Sequence, residues 1–516
     1  MNRHLVLVLV ALAAGVAAPG CGHKKFSYPE HSMAATDGSY VSRLGEFKVW
    51  GHAISAEFGT VTVSENRHNS NARLIHLPVI RIHARSSHPG EPVFGLAGGP
   101  GMSNMNWSPI DTLLAEHDFV MVGYRGVDGL TVLDCPEVTE ALKQEEDPLA
   151  EESLRRIGKA WEVSVYRLMA QGIDWDGYTM PQTVEDIEAV RKALGYPRID
   201  LLSESYGTRL AYIYGLMHPE SIHRSVMIGV NPPGHFTWDP QLVDEQLNYY
   251  SRLWSKDSIM ARECPDLASS MRRVLQNMPR KWLFFSISPG KVKVAAFGLL
   301  FHRNTAAMVF DAFVAAEHGD ASGIALMSLA YGFIIPSMSV WGDLASKALS
   351  ADFDSTRDYG AEPDRPEAIL GSPMNRLLWT PLRYGHVPVQ MIPKELRTPQ
   401  PSDVNTLLVS GSLDFSTPAE IATRELLPLL RNGRQIVLSE FGHVGDVRYL
   451  RQNRIESLVS NYFDTGIADT SEIEYVPMDF HVGWGFPRIA KVAMGAILLL
   501  CIGLISGMVW ISKKTL

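Results

Sequence analysis

The chain has 516 residues, of which 46% are hydrophobic and 20% are charged, a composition that excludes a disordered or collagen-like protein. Its 47 Lys and Arg residues against 56 Asp and Glu residues give a net charge of -9 without a long basic run, which argues against binding to a nucleic-acid backbone. Charged and apolar residues also mix too finely along most of the chain for a multi-span transporter, so a globular enzyme or binding protein is expected.

The first residues have the features of a secretory signal. A basic start precedes an uncharged apolar stretch at residues 5–18, and small residues follow it up to Cys21. This order predicts a signal peptide at residues 1–21 and therefore export, with an uncleaved anchor as the alternative. Cys21 also occupies a position like that of the cleavage box of lipoproteins, so its lipidation stays open.

Alternating strand and helix patterns follow the signal. Residues 59–64 and 74–82 are rich in β-formers and flank a turn-like segment, which predicts a hairpin. Short apolar runs, several of them separated by helical patterns, predict further strands at residues 92–96, 119–123, 199–202 and 225–230. Such runs are typical of buried parallel strands. Residues 22–230 are therefore predicted to form the first part of an α/β domain with a mostly parallel central sheet flanked by helices.

A glycine-rich loop follows the strand at residues 92–96, where residues 95–101 read Gly-Leu-Ala-Gly-Gly-Pro-Gly. Consecutive glycines let backbone N–H groups turn toward a bound oxygen, which is how an oxyanion hole is built. The N–H groups of Gly98 and Gly99 are the candidates. A plain Gly-Pro loop is the alternative.

A serine lies between the strand at residues 199–202 and the helix after it. Ser203 and Gly207 put small residues two before and two after Ser205, as a nucleophile elbow requires, because its tight turn brings strand and helix backbones together. Ser205 is therefore the predicted nucleophile, and the N–H of Tyr206 would complete the oxyanion hole. An ordinary turn in which Ser205 caps the helix is the alternative.

The alternation of strands and helices then stops. Residues 231–400 are rich in helix formers, Trp and Met, which predicts a helical cap insertion. Strand-like patterns return at residues 406–410 and 435–438, so residues 401–470 are predicted to complete the α/β core.

Two further candidates follow these last strands. Asp414 comes just after the first of them, and His443 lies 29 residues later in a loop flanked by glycines. The order Ser205, Asp414, His443 is the chain order of an α/β-hydrolase triad, in which the histidine takes the serine proton and the aspartate fixes the imidazole tautomer. The motifs together predict an α/β-hydrolase fold and serine chemistry with no cofactor and no metal.

The chain ends in an apolar segment. Residues 492–512 contain no charge and precede Lys513 and Lys514. A helix of that length is about 32 Å long, enough to cross a bilayer, so a transmembrane helix is predicted after a linker at residues 471–491. A final core helix is the alternative. With an exported N-terminus, the lysine pair would lie in the cytoplasm and the catalytic domain outside it.

Of the four cysteines, only Cys135 and Cys264 lie in the exported body of the chain. Thiols outside the cytoplasm can be oxidised, so a disulfide between them is expected, with two buried thiols too far apart to bond as the alternative. Neither has the spacing of a metal site.

With these motifs the sequence resembles the proline iminopeptidase family of serine exopeptidases, and more closely its secreted tripeptidyl-aminopeptidase-like branch. The resemblance includes the triad and the glycine loop, together with motifs at residues 58–63, 124–126, 133–136, 205–208 and 414–418. It implies an α/β-hydrolase core, a helical cap over the site and metal-free hydrolysis of short peptides near a free N-terminus. Ala97, Gly123 and Ser203 stand where the family often has His, Asp and Gly, so the substrate stays open.

Three other functions remain as alternatives to a membrane-tethered exopeptidase. Glu204 precedes the serine as it does in serine carboxypeptidases, where this residue helps hold the substrate's carboxylate, so Glu204 is a candidate for binding a substrate terminus. A solvated or capping carboxylate is the simpler interpretation. An esterase or lipase would use the same triad, since the fold alone does not separate acyl acceptors. A binding protein that retains the hydrolase scaffold is the last alternative.

Overall fold

A computed structural model describes residues 35–49, 52–362, 365 and 367–514, and the predicted signal peptide at residues 1–21, with Cys21, lies outside them. In this described part, nine strands form one sheet and two more form a small hairpin. The strands are β1 (Tyr40–Val49), β2 (His52–Ser64), β3 (Leu74–Ile82), β4 (Val93–Leu96), β5 (Phe119–Val122), β6 (Ile199–Glu204), β7 (Ile222–Ile228), β8 (Lys281–Trp282), β9 (Phe285–Ser286), β10 (Thr406–Gly411) and β11 (Gly433–Leu438).

Helices flank the sheet and build most of the segment between β7 and β10. The helices are α1 (Leu113–Glu116), α2 (Pro136–Gln144), α3 (Glu151–Ala170), α4 (Met180–Ala193), α5 (Tyr206–Met217), α6 (Pro240–Trp254), α7 (Ser258–Glu263), α8 (Leu267–Gln276), α9 (Pro289–Leu299), α10 (Arg303–Glu317), α11 (Ser322–Ile334), α12 (Trp341–Asp352), α13 (Pro373–Trp379), α14 (Lys394–Arg397), α15 (Ala419–Ile421), α16 (Val444–Tyr449), α17 (Gln452–Thr465) and α18 (Phe486–Lys514).

The sheet is antiparallel at one edge and parallel elsewhere. Its order is β1-β2-β3-β5-β4-β6-β7-β10-β11. Strands β1, β2, β3 and β5 pair antiparallel, and β5, β4, β6, β7, β10 and β11 form a parallel series. The predicted hairpin is β2 with β3, and every strand predicted from an apolar run is present. Strand β1 was not predicted from the sequence. The prediction of a mostly parallel central sheet is confirmed.

The parallel strands are apolar throughout because both faces of the sheet are covered. In β5, Val120 and Val122 lie in one hydrophobic core, whereas Phe119 and Met121 lie in the other. Side chains alternate between the two faces of a strand, so a continuous apolar run is what a doubly covered strand requires. The ends of these strands are thereby held rigidly, and the loops that follow them carry the polar residues of interest.

The segment between β7 and β10 is helical, with α6 to α14 and the β8–β9 hairpin. This agrees with the insertion expected at residues 231–400, although the domain boundaries themselves stay a prediction. We call this segment the cap. It packs against the loops that follow the strands: Phe301 accepts a hydrogen bond from the N–H of His443 (2.8 Å), and the N–H of Val340 donates to the carbonyl of Gly101 (2.8 Å).

The C-terminal helix α18 has two parts with different surroundings. Its first turns are docked on the cap, where Phe486, Ile489 and Met494 are buried. From Leu498 to Leu504, and at Met508, its apolar side chains are exposed. Within the described residues, Phe486–Leu504 is the single unbroken helix that is long and apolar enough to cross a membrane. The helix begins six residues before the predicted span at residues 492–512, because its first turns complete the cap.

The expected disulfide does not form. Cys135 and Cys264 are both free thiols, and both are buried. Cys135 donates to the carbonyl of Leu133 (3.7 Å) just before α2, whereas Cys264 ends α7 in the cap. Burial raises the pKa of the Cys135 thiol to about 12 and also raises the pKa of Cys264, which disfavours the reactive thiolates. Both cysteines remain free thiols, and the prediction of a bond between them was wrong.

A methyl group at position 207 is expected to destabilise the fold. A Cβ on Gly207 would lie 2.1 Å from the carbonyl oxygen of Leu96, a backbone atom that moves only if β4 moves. Gly207→Ala should therefore lower the free energy of unfolding by about 1–3 kcal/mol, the usual cost of overpacking. Gly298→Ala in α9 is the matched control, because its Cβ meets nothing within 4 Å and alanine is the better helix former. Urea unfolding in mild detergent measures both, and equal losses would contradict the prediction.

The pH dependence of stability should depend on Asp311, which lies in α10 beside Gly485, just before α18. Burial, with the negative charges of Glu263 and Asp320, raises the pKa of this carboxyl to about 6, although Lys491 acts in the opposite direction. The fold is compatible with the protonated carboxyl of Asp311, whereas the ionised form destabilises it. Because the folded pKa lies above the ordinary value, the full stability is present below about pH 4, and part of it is lost as the pH rises through about 6.

Asp311→Asn removes the charge that burial disfavours. The variant should be more stable than the wild type above about pH 6, and its advantage should shrink toward about pH 4. Thermal midpoints of both proteins across this pH range measure the difference. A difference that does not change with pH would show that Asp311 does not titrate in this way.

Candidate active site

Ser205 occupies a strained turn between β6 and α5. Its backbone has φ 51° and ψ -120°, a region that L-residues rarely adopt. The turn is held on both sides: the N–H of Ser205 donates to the carbonyl of Ile228 (2.9 Å), and the hydroxyl of Thr208 donates to the carbonyl of Ser205 (2.6 Å). Strain of this kind costs on the order of 1–3 kcal/mol and persists where the surroundings enforce it. A simple helix-capping serine needs no such backbone, and Ser205 makes no side-chain capping bond.

The glycine loop after β4 lies directly against this turn. A Cβ on Gly98 would come 3.1 Å from the Cβ of Ser205, so any larger residue would crowd this approach. The loop is fixed by two neighbours: the side chain of Asn104 accepts from the N–H of Ala97 (2.7 Å), and the hydroxyl of Tyr124 donates to the carbonyl of Ala97 (3.0 Å). Asn104 is fully buried and also donates to two strand carbonyls.

The three N–H groups predicted for the oxyanion hole are free of protein acceptors. Among the described residues, no hydrogen bond engages the backbone N–H of Gly98, Gly99 or Tyr206. Tyr206 is the first residue of α5, where an unpaired N–H is expected at a helix start. Backbone N–H donors thus lie on two sides of Ser205, and a bound oxygen can accept hydrogen bonds from them.

Asp414 and His443 meet in the loops after β10 and β11. The Nδ1 of His443 lies 2.8 Å from Oδ2 of Asp414. The other oxygen of this carboxylate accepts from the N–H groups of Ser416 (2.9 Å) and Thr417 (2.8 Å), and the Thr417 hydroxyl donates to Oδ2 (2.8 Å). Asp414 is fully buried, so its charge is satisfied by these donors and by the imidazole.

The imidazole of His443 is held beside the serine turn. A Cβ on Gly229 would lie 3.0 Å from the ring carbon Cε1, and Gly229 directly follows Ile228, whose carbonyl binds the N–H of Ser205. Phe301 of the cap contacts the ring with centroids 5.8 Å apart. No hydrogen bond joins Ser205 to His443 in the described part of the chain, and in unliganded enzymes such bonds are often long.

A buried ion pair supports the glycine loop from the cap. Asp343 in α12 accepts the N–H of Gly101 (2.9 Å) and pairs with Lys347, and neither charged side chain is exposed. The ammonium of Lys347 also donates to the carbonyl of Arg125 (3.2 Å). Burial raises the pKa of Asp343 and lowers that of Lys347, and the attraction between the two charges opposes both shifts. The loop is thereby tied to a residue more than two hundred positions later in the chain.

Glu204 makes an ion pair with a buried arginine. Its carboxylate accepts from Arg448 in α16, and the guanidinium of Arg448 stacks over Trp107 with 5.4 Å to the ring centroid. Burial alone would lower the pKa of Arg448, but the charge and hydrogen bond of Glu204, together with the nearby Tyr449 and Glu456, outweigh burial and raise the pKa. Glu204 is therefore neither the solvated nor the capping carboxylate considered from the sequence, and its charge is already compensated within the protein.

Three features together characterise one fold: parallel pairing of the strands, a serine in a strained strand–helix turn, and an Asp–His pair after later strands. A family model described as alpha/beta hydrolase fold matches residues 91–294. The chain has an α/β-hydrolase fold. A solved serine hydrolase from Cycloclasticus zankles aligns with this hydrolase at 12% identity and a TM-score of 0.37, covering 80% of this chain and 100% of that one.

Two curated relatives carry the name tripeptidyl aminopeptidase. The one from Streptomyces lividans is 26% identical over 221 residues, which is 39% of this hydrolase and 41% of the relative. The one from Streptomyces coelicolor is 25% identical over 221 residues, 39% of this chain and 40% of the relative. The match thus spans about two fifths of the length of these relatives. These similarities confirm the resemblance inferred from the motifs.

Several residues around the hydrolase site were not identified from the sequence. Thr417 lies in a motif shared with the family, but nothing in the spacing indicated that its hydroxyl binds Asp414. Asp343 and Arg448 are separated by long stretches of chain from the residues they bind, so local patterns carry no signal for them. Within the described residues, no group of three or more His, Cys, Asp or Glu side chains is arranged to hold a metal ion.

Removing one charge of the buried pair should destabilise the hydrolase more than removing both. Lys347→Met leaves the carboxylate of Asp343 buried without a positive charge to pair with, which costs about 3–5 kcal/mol. The double variant Asp343→Asn/Lys347→Met carries no charge and still offers an amide oxygen to the N–H of Gly101, so most of that loss should be recovered. Urea unfolding of both variants in mild detergent measures the difference. A double variant as unstable as the single one would refute this interpretation.

Proposed function

We propose that the protein is a serine aminopeptidase that hydrolyses short peptides near a free N-terminus through an acyl-enzyme. The observation that carries the proposal is the pairing of His443 with a fully buried Asp414 beside the strained turn of Ser205. Burying a carboxylate costs free energy, so its place beside the imidazole indicates a function. By accepting the N–H at Nδ1, Asp414 leaves Nε2 as the ring nitrogen that can act as a base.

The proposed reaction follows from this arrangement. With Nδ1–H donated to Asp414, the Nε2 of His443 is free to take the proton of the Ser205 hydroxyl. The serine oxygen attacks the peptide carbonyl, and the N–H groups of Gly98, Gly99 and Tyr206 stabilise the resulting oxyanion. His443 then gives its proton to the leaving amine, and water repeats the sequence on the acyl-enzyme to release the acid and restore the serine.

Preference for a free N-terminus rests on two supports. The curated relatives are named tripeptidyl aminopeptidases. In addition, the ion pair with Arg448 occupies Glu204, which disfavours a role for Glu204 in binding a substrate carboxylate. An esterase is the alternative that the same triad permits, because ester and amide hydrolysis share the acyl-enzyme.

The proposal includes export and attachment to a membrane through α18. The basic, apolar and small segments at residues 1–21 support export. The length and composition of α18 support a span, and Lys513 and Lys514 after it support a cytoplasmic C-terminus. The catalytic domain would then act on peptides outside the cytoplasm.

Substrate selectivity of the full-length protein in mild detergent tests the proposed activity. A tripeptide p-nitroanilide with a free N-terminus should be cleaved, and its N-acetylated form should not. Ser205→Ala should abolish turnover, and Asp414→Asn should lower kcat by about 10⁴-fold because the imidazole adopts the wrong tautomer. Asp403→Asn is the matched control, since this exposed carboxylate lies before β10 rather than after it and should leave kcat unchanged.

The other substrates distinguish the alternatives. Trimming of an N-blocked peptide from its free C-terminus would replace the aminopeptidase assignment with a carboxypeptidase one and would require Glu204 to bind substrate. Turnover of a p-nitrophenyl ester alone would indicate an esterase. If the protein is folded but shows no Ser205-dependent turnover of any of these substrates, a binding protein would be the remaining interpretation.

A further inference from the structure

The β8–β9 hairpin carries an exposed apolar tip. Leu283 and Phe284 form the turn and are 61% and 73% exposed. Beside them the rings of Trp282 and Phe285 stack with centroids 6.0 Å apart. Leu283 has φ 54°, a left-handed conformation that is unfavourable for a branched side chain. Trp282 packs against the core at the base of the tip, whereas Leu283 and Phe284 are held outward at a conformational cost and stay exposed.

The base of the same hairpin is basic. Arg280 and Lys281 are both exposed, and neither forms an ion pair within the described ranges of the chain. The whole chain carries a net charge of -9, so this local positive charge runs against the overall balance. Aromatic side chains flanked by Lys and Arg are typical of segments that lie at the boundary between lipid headgroups and acyl chains.

The hairpin and the C-terminal helix are held by the same cap helix. Ser322, the first residue of α11, donates its hydroxyl to the carbonyl of Pro487 at the start of α18 (3.3 Å). Six residues further along α11, the hydroxyl of Ser328 accepts the N–H of Ser288, which follows β9 (3.0 Å). Both helices begin at the first contact and stay packed beyond it, so they run in the same direction.

The spacing of these two contacts along α11 gives the position of the base of the hairpin along the direction of α18. Six residues of helix correspond to about 9 Å, so along the axis of α11 Ser288 lies at about the level of residue 493 of α18. There α18 changes from docked to exposed: Met494 is 7% exposed, whereas Leu498 is 54% exposed. Ser288, at the base of the hairpin, therefore lies near the level at which the apolar helix leaves the cap.

We propose that the hairpin tip of Leu283 and Phe284 inserts into the surface of the lipid bilayer, with Arg280 and Lys281 binding anionic headgroups. The inference rests on the proposed anchoring by α18. A second attachment point fixes the rotation of the domain about α18, which one helix alone leaves free. The cap, and with it the entrance to the site, then keeps one orientation toward the membrane.

Spin-label accessibility in nanodiscs of phosphatidylcholine, with or without phosphatidylglycerol, tests the proposal on the full-length protein. In a Cys21→Ser background, the exposed native Cys501 reports on α18. Two further variants carry Cys501→Ser in the same background: Phe284→Cys reports on the hairpin tip, and Leu44→Cys is the control. Leu44 is chosen because it is also apolar and is 75% exposed on the edge strand β1. The buried Cys135 and Cys264 should not label. Collision with oxygen relative to a nickel chelate measures the depth of each label.

We expect a high oxygen-to-nickel ratio at positions 501 and 284 and a low ratio at position 44. Phosphatidylglycerol should raise the ratio at position 284, and Arg280→Glu/Lys281→Glu should lower it without changing the ratio at position 501. A low ratio at 284 with a high ratio at 501 would overturn the hairpin proposal alone. A low ratio at 501 would overturn the anchor itself. Low collision with both reagents at 284 would mean contact with protein, such as a second copy, and would also overturn the proposal.

Discussion

The close approach of three backbones at Ser205 is the constraint on which the rest of the site depends. The serine adopts a strained conformation, and Gly98 and Gly207 lack side chains at the points where the loop after β4 and helix α5 meet it. These contacts leave little room for β4, β6 and α5 to shift relative to one another. The positions of the free N–H groups follow from that packing, so the donors need no movement to meet a negative oxygen.

The cap is part of the site as well as its cover. Asp343 holds the glycine loop through Gly101, and Phe301 binds the backbone of His443 and contacts its ring. These contacts join residues far apart in the chain, so each costs loop-closure entropy that local structure cannot offset. The catalytic loops therefore reach their final geometry only when the insertion has packed. An ion pair such as Asp343 with Lys347 favours one arrangement of that packing, because any other leaves a buried charge unpaired.

Features set by local chemistry were predictable from the sequence, and those set by distant packing were not. Apolar runs identified the strands, and the small residues around Ser205 identified its turn, because both patterns are required by neighbouring residues. The long antiparallel strand β1 is partly exposed and mixes polar with apolar residues, so it gave no buried-strand signal. Pairing of Cys135 with Cys264 was inferred from compartment and number alone, whereas both are free, buried thiols in the structure. The partner of Glu204 depended on the placement of α16, which no motif reveals.

The docking of α18 also has a consequence for any soluble form of this enzyme. Phe486, Ile489 and Met494 are core residues of the cap, and Phe480 just before them packs between Trp254 and Phe310. A protease that cut upstream of Phe486 would remove these side chains and open the cap's interior to water. In the proposed membrane-anchored form, release of an intact domain would require a cut beyond Met494, where most side chains of α18 are exposed. Helix α18 thus completes the packing of the cap as well as forming the proposed anchor, so a cut before Phe486 would release the domain and destabilise it at once.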